Sequence, residues 1–311
     1  MLTRETFTGP WAGLPVAWTD DNRFDESTYR TDVARCCAAG VPGVYTAGTT
    51  GEFYAMEFDE WKAVTRATVE ECHARGKPAM IGCTSTYNLG AARRAAYAAE
   101  CGADAIQVAL PFWMEIGDAQ IVPFFQEVAN ASGGLPLSIY ETMRAKKTLT
   151  LDQHRAVKDA VPDYWMVKAN EDTVGCTPDG CRALSDFVNV FVGEHEFGSL
   201  GRFGAKGSCS SVVYWNPRVI LSLWRQVECQ NWSSVDAMCA RILELFAFLF
   251  STDGFGPRGF TDTAFDRLGG MAGGFLKCGL RSRGPYPYAT AADVETLRQW
   301  YCEHFPEMLV L

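Results

Sequence analysis

A chain of 311 residues, 48% hydrophobic and 21% charged, can bury a full-sized core, either as one large barrel or as two smaller domains. Its net charge of −9, with no basic stripe, argues against a general nucleic-acid binder and reads as solubility. The twelve cysteines are scattered without a CxxC pair, MLTRETFTGPWAG lacks the apolar stretch of a signal peptide, and no uncharged apolar run approaches membrane-spanning length. A reduced, cytoplasmic protein without nucleic-acid or membrane partners is expected.

From residue 11 onward, short apolar runs alternate with longer amphipathic segments. The runs are 11–18, 41–47, 79–83, 105–110, 136–140, 165–168, 188–193 and 207–213. They are continuously apolar rather than alternating, as suits parallel strands buried on both faces. The intervening stretches 59–75, 88–101 and 118–131 predict helices, the first opening on Asp59 as N-cap and closing before Gly76. Eight βα units fit a (β/α)8 TIM barrel better than an open doubly wound sheet. Beyond residue 216 the pattern is helical only, over 217–230, 233–251, 262–275 and 291–304. The expected organisation is therefore a barrel over 1–216 that carries the active site, with a C-terminal helical extension over 217–311 packed on it.

Barrel chemistry sits at the C-terminal strand ends. Lys168 ends the run WMVK, where a buried ammonium costs several kcal/mol unless paired or neutralised. Desolvation lowers a lysine pKa and leaves a free amine able to attack a carbonyl; the plainer reading is a lysine snorkelling out of a strand end. Tyr140 ends the preceding run, PLSIY, 28 residues upstream, so the two side chains project from neighbouring strand ends. It is either a proton carrier or a half-wet rim tyrosine. The loop GTTGE, Gly48 to Glu52, offers exposed amides and hydroxyls that could cradle a carboxylate, although turns of this composition are common.

Taken together, GTTGE after the second strand, Tyr140 ending the fifth and Lys168 ending the sixth resemble the dihydrodipicolinate synthase / N-acetylneuraminate lyase family. The likeness extends to AGLPVAWTDDNRFDEST near the start, GAKGS at 204–208 and the helical tail. The resemblance implies a lyase acting on pyruvate or a related 2-oxo acid, by aldol cleavage, condensation or dehydration. Lys168 would be the imine-forming nucleophile and Tyr140 the acid/base. Thr49 and Thr50 would bind the carboxylate, with Thr50 a proton relay and Gly48 and Gly51 shaping the loop. Cys209 would supply a backbone contact to the keto acid, and Gly193 lies at the mouth of the seventh strand. The imine itself is the electron sink, so the resemblance implies neither a metal nor an organic cofactor. It also implies a homo-oligomer, a dimer or tetramer.

Two segments depart from the synthase pattern. Phe112 and Trp113 stand where synthases place the tyrosine that reaches a neighbouring subunit, and neither carries a proton. Arg144 lies four residues after Tyr140, where synthases have a substrate-binding arginine at the fifth. The stretch Leu110-Pro111-Phe112-Trp113 looks more like hydratase-aldolases that cleave arylidene-pyruvates, with Trp113 as an aromatic wall; a subunit contact is the competing role for Trp113. His195, in Glu194-His195-Glu196, is either a solvated loop residue, a contact to substrate hydroxyls or a second acid/base. A non-catalytic ligand-binding barrel is the alternative of another class.

Overall fold

The computed structural model describes residues 2–209 and 211–310. Nine parallel segments form one sheet: β1 (Gly9–Pro10), β2 (Ala12–Gly13), β3 (Val44–Thr46), β4 (Ala79–Gly82), β5 (Ala105–Val108), β6 (Leu137–Tyr140), β7 (Tyr164–Lys168), β8 (Asn189–Phe191) and β9 (Ala205–Ser208). Their order is β1-β9-β8-β7-β6-β5-β4-β3-β2. β1 and β2 flank Trp11 in one continuous stretch, the first pairing with β9 and the second with β3, so the order closes on itself. Nine segments thus make the eight strands of a (β/α)8 barrel.

The twofold period of a strand sorts side chains between the two sides of the wall. Tyr45, Met80, Ala105, Met166, Phe191 and Cys209 share an inner cluster with Phe7 and Trp11. Gln107, Ser138 and Met166 are joined across the interior by hydrogen bonds of 3.2 and 3.1 Å. Val44, Ile81, Val108, Ile139, Val167 and Val190 belong instead to the larger cluster under the helices. Since Ser138 and Met166 face inward, Tyr140 and Lys168, two residues further along, also face inward, one layer nearer the C-terminal mouth. They are register partners across β6 and β7.

Two predicted strands end differently from expectation. The run 11–18 is strand only to Gly13, because Pro15 has no N–H to continue the ladder; Leu14, Val16, Ala17 and Trp18 continue as buried loop. The run 207–213 is strand only to Ser208, and position 210 lies outside the described residues. Val212–Trp215 forms a short helix whose four residues are all buried, and an apolar run of that length does not separate helix from strand.

Around the barrel lie α1 (Glu26–Ala39), α2 (Phe58–His73), α3 (Asn88–Glu100), α4 (Ile121–Ala131), α5 (Leu151–Ala160), α6 (Pro178–Ser185), α7 (Phe197–Leu200), α8 (Val212–Trp215) and α9 (Pro217–Glu228). Glu57, not Asp59, caps α2, through a capping box with Glu60. That helix stops at His73, and Gly76 follows with φ of +65°. α9 begins on Pro217 after the cap Asn216 and packs against β1 and α1. α10 (Trp232–Phe250), α11 (Asp262–Gly273) and α12 (Ala291–His304) complete the chain. α11 lies against α8 and α12 and brings Asp262 and Asp266 to the mouth of the barrel. Among the described residues, no helix is long and apolar enough to cross a membrane, and no group of three or more His, Cys, Asp or Glu is placed to hold a metal ion.

Candidate active site

Lys168 lines a chamber of about 980 Å³ at the C-terminal mouth, with Thr49, Thr50, Tyr140, Gly193, His195, Cys209, Asp262 and Asp266. Its Nζ lies 4.3 Å from the ring centroid of Tyr140 and 5.7 Å from that of Tyr45. Tyr140 Oη is 3.3 Å from Thr49 Oγ1. Burial acts to lower the Lys168 pKa, while Tyr140, Tyr45, Cys209 and Asp262 act to raise it, and the sum lies above the ordinary lysine value. This is opposite to the direction expected from burial alone. Phenols and thiols raise a neighbouring ammonium's pKa as anions. Burial pushes the Cys209 thiol up to about 12 and the Tyr45 phenol higher than its ordinary value. At neutral pH neither of these two is charged, which removes their part of the rise and leaves desolvation opposed by Tyr140 and the Asp262 carboxylate.

The loop Gly48–Glu52 is held from both ends. Ala47 and Glu52 adopt positive φ of 56° and 52°. A Cβ on Gly48 would lie 2.2 Å from Tyr45 Oη, and one on Gly51 would lie 2.7 Å from Ala47 N, so both positions demand glycine for close approach. Glu52 is fully buried. Its carboxylate accepts from Arg267 Nη2 at 2.5 Å, Trp18 Nε1 at 2.6 Å and the Arg283 backbone N–H at 2.9 Å. The loop is thereby tied to α11 by a buried ion pair. Among the described residues, the backbone N–H groups of Thr49, Thr50 and Gly51 make no backbone hydrogen bond, which leaves them available to an anion.

The model of the dihydrodipicolinate synthetase family matches residues 6–260 of this chain. The chain belongs to that family. As a member it is an enzyme, a class I lyase of the pyruvate-dependent kind. Among its relatives is 4-hydroxy-tetrahydrodipicolinate synthase of Nitrobacter hamburgensis, 26% identical over 82% of this chain and 85% of that protein. Another is N-acetylneuraminate lyase of an Enterobacter species, 24% identical over 76% of this chain and 80% of the relative. The fold matches the crystal structure of YagE, a prophage protein of the dihydrodipicolinic acid synthase family from E. coli K12, in complex with pyruvate. That match has a TM-score of 0.85 at 18% identity and covers 96% of this chain and 98% of the other.

Within this family member the structure brings most of the sequence-derived residues together. Lys168, Tyr140, Thr49, Thr50, Cys209, Gly193 and Arg144 all line the chamber, with Gly48 and Gly51 in the loop beside it. Arg144 donates to both carboxylate oxygens of Asp262, at 2.9 and 3.0 Å. Gly193 donates its N–H to Glu196 at 2.7 Å, and a Cβ there would meet the His195 ring at 2.5 Å. His195 packs edge-on against Phe246, 5.3 Å between centroids, and its buried Nδ1 has no hydrogen-bond partner among the described residues.

Trp113 is not brought to the site: its side chain is 74% exposed and lines neither cavity at the mouth. Phe112 instead joins Phe53, Tyr54, Leu110 and Tyr286 around a side pocket of about 240 Å³. Thr49, Tyr140, Arg144 and Asp262 line this pocket as well as the chamber.

Sequence reasoning missed the contribution of the tail. Thr50 Oγ1 donates to Asp266 Oδ2 at 2.7 Å, Ser211 Oγ donates to Oδ1 at 2.6 Å, and Tyr214 Oη is 3.4 Å from Thr50 Oγ1. Burial raises the Asp266 carboxyl to about 6, with Asp262 adding to the rise and the three hydroxyls opposing it. The signal available in the sequence was Asp262 and Asp266, one helical turn apart at the start of a predicted helix.

Proposed function

We propose that the protein is a lyase that binds pyruvate or a related 2-oxo acid as an imine on Lys168 and makes or breaks the adjacent carbon–carbon or carbon–oxygen bond. The reading rests on one observation: the Lys168 amine lies 4.3 Å from the Tyr140 ring, with Thr49 hydrogen-bonded to the same phenol, inside the chamber at the barrel mouth. The substrate carboxylate sits against the free amides of the GTTGE loop. The free amine attacks the ketone carbon, Tyr140 hands the departing oxygen its proton, and water leaves as the iminium forms. In the cleavage direction the electron pair of the breaking bond moves into the iminium, giving an enamine. A proton from the leaving hydroxyl passes to Tyr140 and on to the enamine carbon, and hydrolysis then returns the free amine. Cys209 and Gly193 wall the keto acid, and His195 receives a substrate hydroxyl.

The charges around the chamber bear on the second component. Arg144 is already paired with Asp262, and Glu171, Asp172, Glu196 and Asp266 line the same chamber. A second carboxylate on the aldehyde portion would face these anions, so a neutral or hydroxylated aldehyde fits better than an aspartate-semialdehyde-like one. The apolar side pocket favours a second reading, a hydratase-aldolase that takes a flat, arylidene-pyruvate-type substrate. Pyruvate release measured over sugar acids, aldol acids and arylidene-pyruvates separates the two. Turnover lost in Lys168→Ala supports the imine in either case, and turnover retained there overturns it. By the same resemblance we propose a cytoplasmic dimer or tetramer, with the exposed Trp113, Met114 and Met143 as part of the contact. Sedimentation of wild type beside Trp113→Ala tests this.

A further inference from the structure

We propose that Asp266, on the tail helix α11, is a positioning residue for the 2-oxo acid: its carboxyl decides whether the Thr50 hydroxyl can be donated to the substrate carboxylate. The inference rests on the reading of the chamber as a 2-oxo acid site.

A threonine hydroxyl has one proton. Here it is given to Asp266 Oδ2 at 2.7 Å, so Thr50 has no proton left for Tyr214 Oη, 3.4 Å away, which also hydrogen-bonds Asp266. Ser211 donates to the other carboxylate oxygen at 2.6 Å. With Asp266 ionised, Thr50 therefore shows the chamber lone pairs and no proton, beside a buried negative charge. A substrate carboxylate placed on the loop amides meets an acceptor and an anion where a donor is needed. Protonation of Asp266 reverses this. The carboxylic acid donates to Thr50 Oγ1, the Thr50 hydrogen turns to the substrate, and the like charge is gone. Binding of the anionic substrate is thus coupled to uptake of one proton by Asp266.

The surroundings set where this happens. Asp262, one turn away on the same helix, raises the Asp266 carboxyl and is itself held by Arg144. Tyr214 on α8 and Tyr45 on β3 face it as phenols, and Tyr45 also faces Lys168. Arg267, the next residue, turns away to Glu52 of the loop. From α12, Asp293 is engaged by Arg258, and Arg298 reaches the backbone of Ala272. With a carboxyl titrating at about 6, substrate affinity is full below that pH and falls as pH rises through it, by up to about tenfold per unit.

The test is the pyruvate dissociation constant of wild type and Asp266→Asn from pH 5 to 8. Asparagine keeps the shape, accepts from Ser211 and donates to Thr50 at every pH. The ratio of wild-type to variant constants cancels terms common to both, the Lys168 titration among them. We expect a ratio that is flat below pH 6 and climbs above it by up to about tenfold per unit. A ratio flat across the whole range overturns the proposal. Borohydride reduction at saturating pyruvate, run on both proteins, reports the imine separately. An adduct on Lys168 with a flat ratio sinks the role of Asp266 alone, whereas no adduct in either protein sinks the 2-oxo acid reading. Should the variant fail to fold, wild-type binding of lactate, which has the carboxylate but no ketone, is measured by calorimetry at pH 7 in two buffers of different ionisation enthalpy. Uptake approaching one proton supports the proposal and no uptake overturns it.

Discussion

Replacing Arg267 with methionine removes the cation that holds the GTTGE loop to the tail while filling much of the same space. In the native protein the Glu52 carboxylate accepts from Arg267, Trp18 and the Arg283 backbone, and Arg267 also donates to the Val16 carbonyl at 2.6 Å. Both partners of the pair are fully buried. Without Arg267 the carboxylate stays in the interior with two neutral donors. Breaking a buried pair from one side costs about 3–5 kcal/mol. For a chain of 311 residues the unfolding entropy is about 0.65 kcal/mol/K, so the melting temperature should fall by about 5–8 °C. The assay is thermal unfolding followed by circular dichroism, with Glu52→Gln and the double variant completing a cycle. The double variant should recover part of the loss, because it no longer buries a lone charge. KM for the 2-oxo acid should rise in Arg267→Met, since the loop amides lose their anchor. A melting temperature within a degree of wild type, or a double variant that loses the sum of the two singles, would refute the reasoning.

Other outcomes follow from the same geometry. Tyr140→Phe keeps the ring over Lys168 but removes its proton, so kcat should fall about 10²–10⁴-fold with the fold intact, as steady-state kinetics and circular dichroism will show. Trp113→Ala, at a side chain 74% exposed, should shift stability by no more than about 0.5 kcal/mol and act mainly on assembly; a collapse of activity in a protein of unchanged assembly contradicts that placement. Native alkylation at pH 8 should label the exposed Cys229 and Cys302 and spare Cys209, whose buried thiol is pushed up to about 12. Prompt labelling of Cys209, read by peptide mass mapping, would contradict the burial of its thiol.

The site's centre was legible because the end of an apolar strand run is a local signal. WMVK and PLSIY end on inward-facing residues, and the spacing between them places those residues side by side, as the Tyr140–Lys168 register shows. The four tail helices lie within a few residues of the predicted ranges for the same reason: their apolar stripes repeat over whole turns. What escaped depends on contacts distant in sequence. Glu52 reads as a polar loop residue, and its burial is decided by Arg267, 215 residues away. Asp266 reads as a helix-surface acid until α11 is folded over the mouth, where Thr50 and Ser211 meet it. The Pro15 break and the α8 turn are local but ambiguous, since a short buried run has the same composition as helix, strand or loop. Trp113 illustrates the converse. A motif resemblance offered it as an aromatic wall or a subunit contact, and the chain turns that ring outward and lines the side pocket with Phe112.

The central claim is that Lys168 carries the chemistry, and borohydride reduction in the presence of pyruvate tests it most directly. Intact-protein mass spectrometry should show one reduced pyruvyl adduct per chain, and peptide mapping should place it on Lys168. An unmodified protein, or an adduct on any other lysine, contradicts the account.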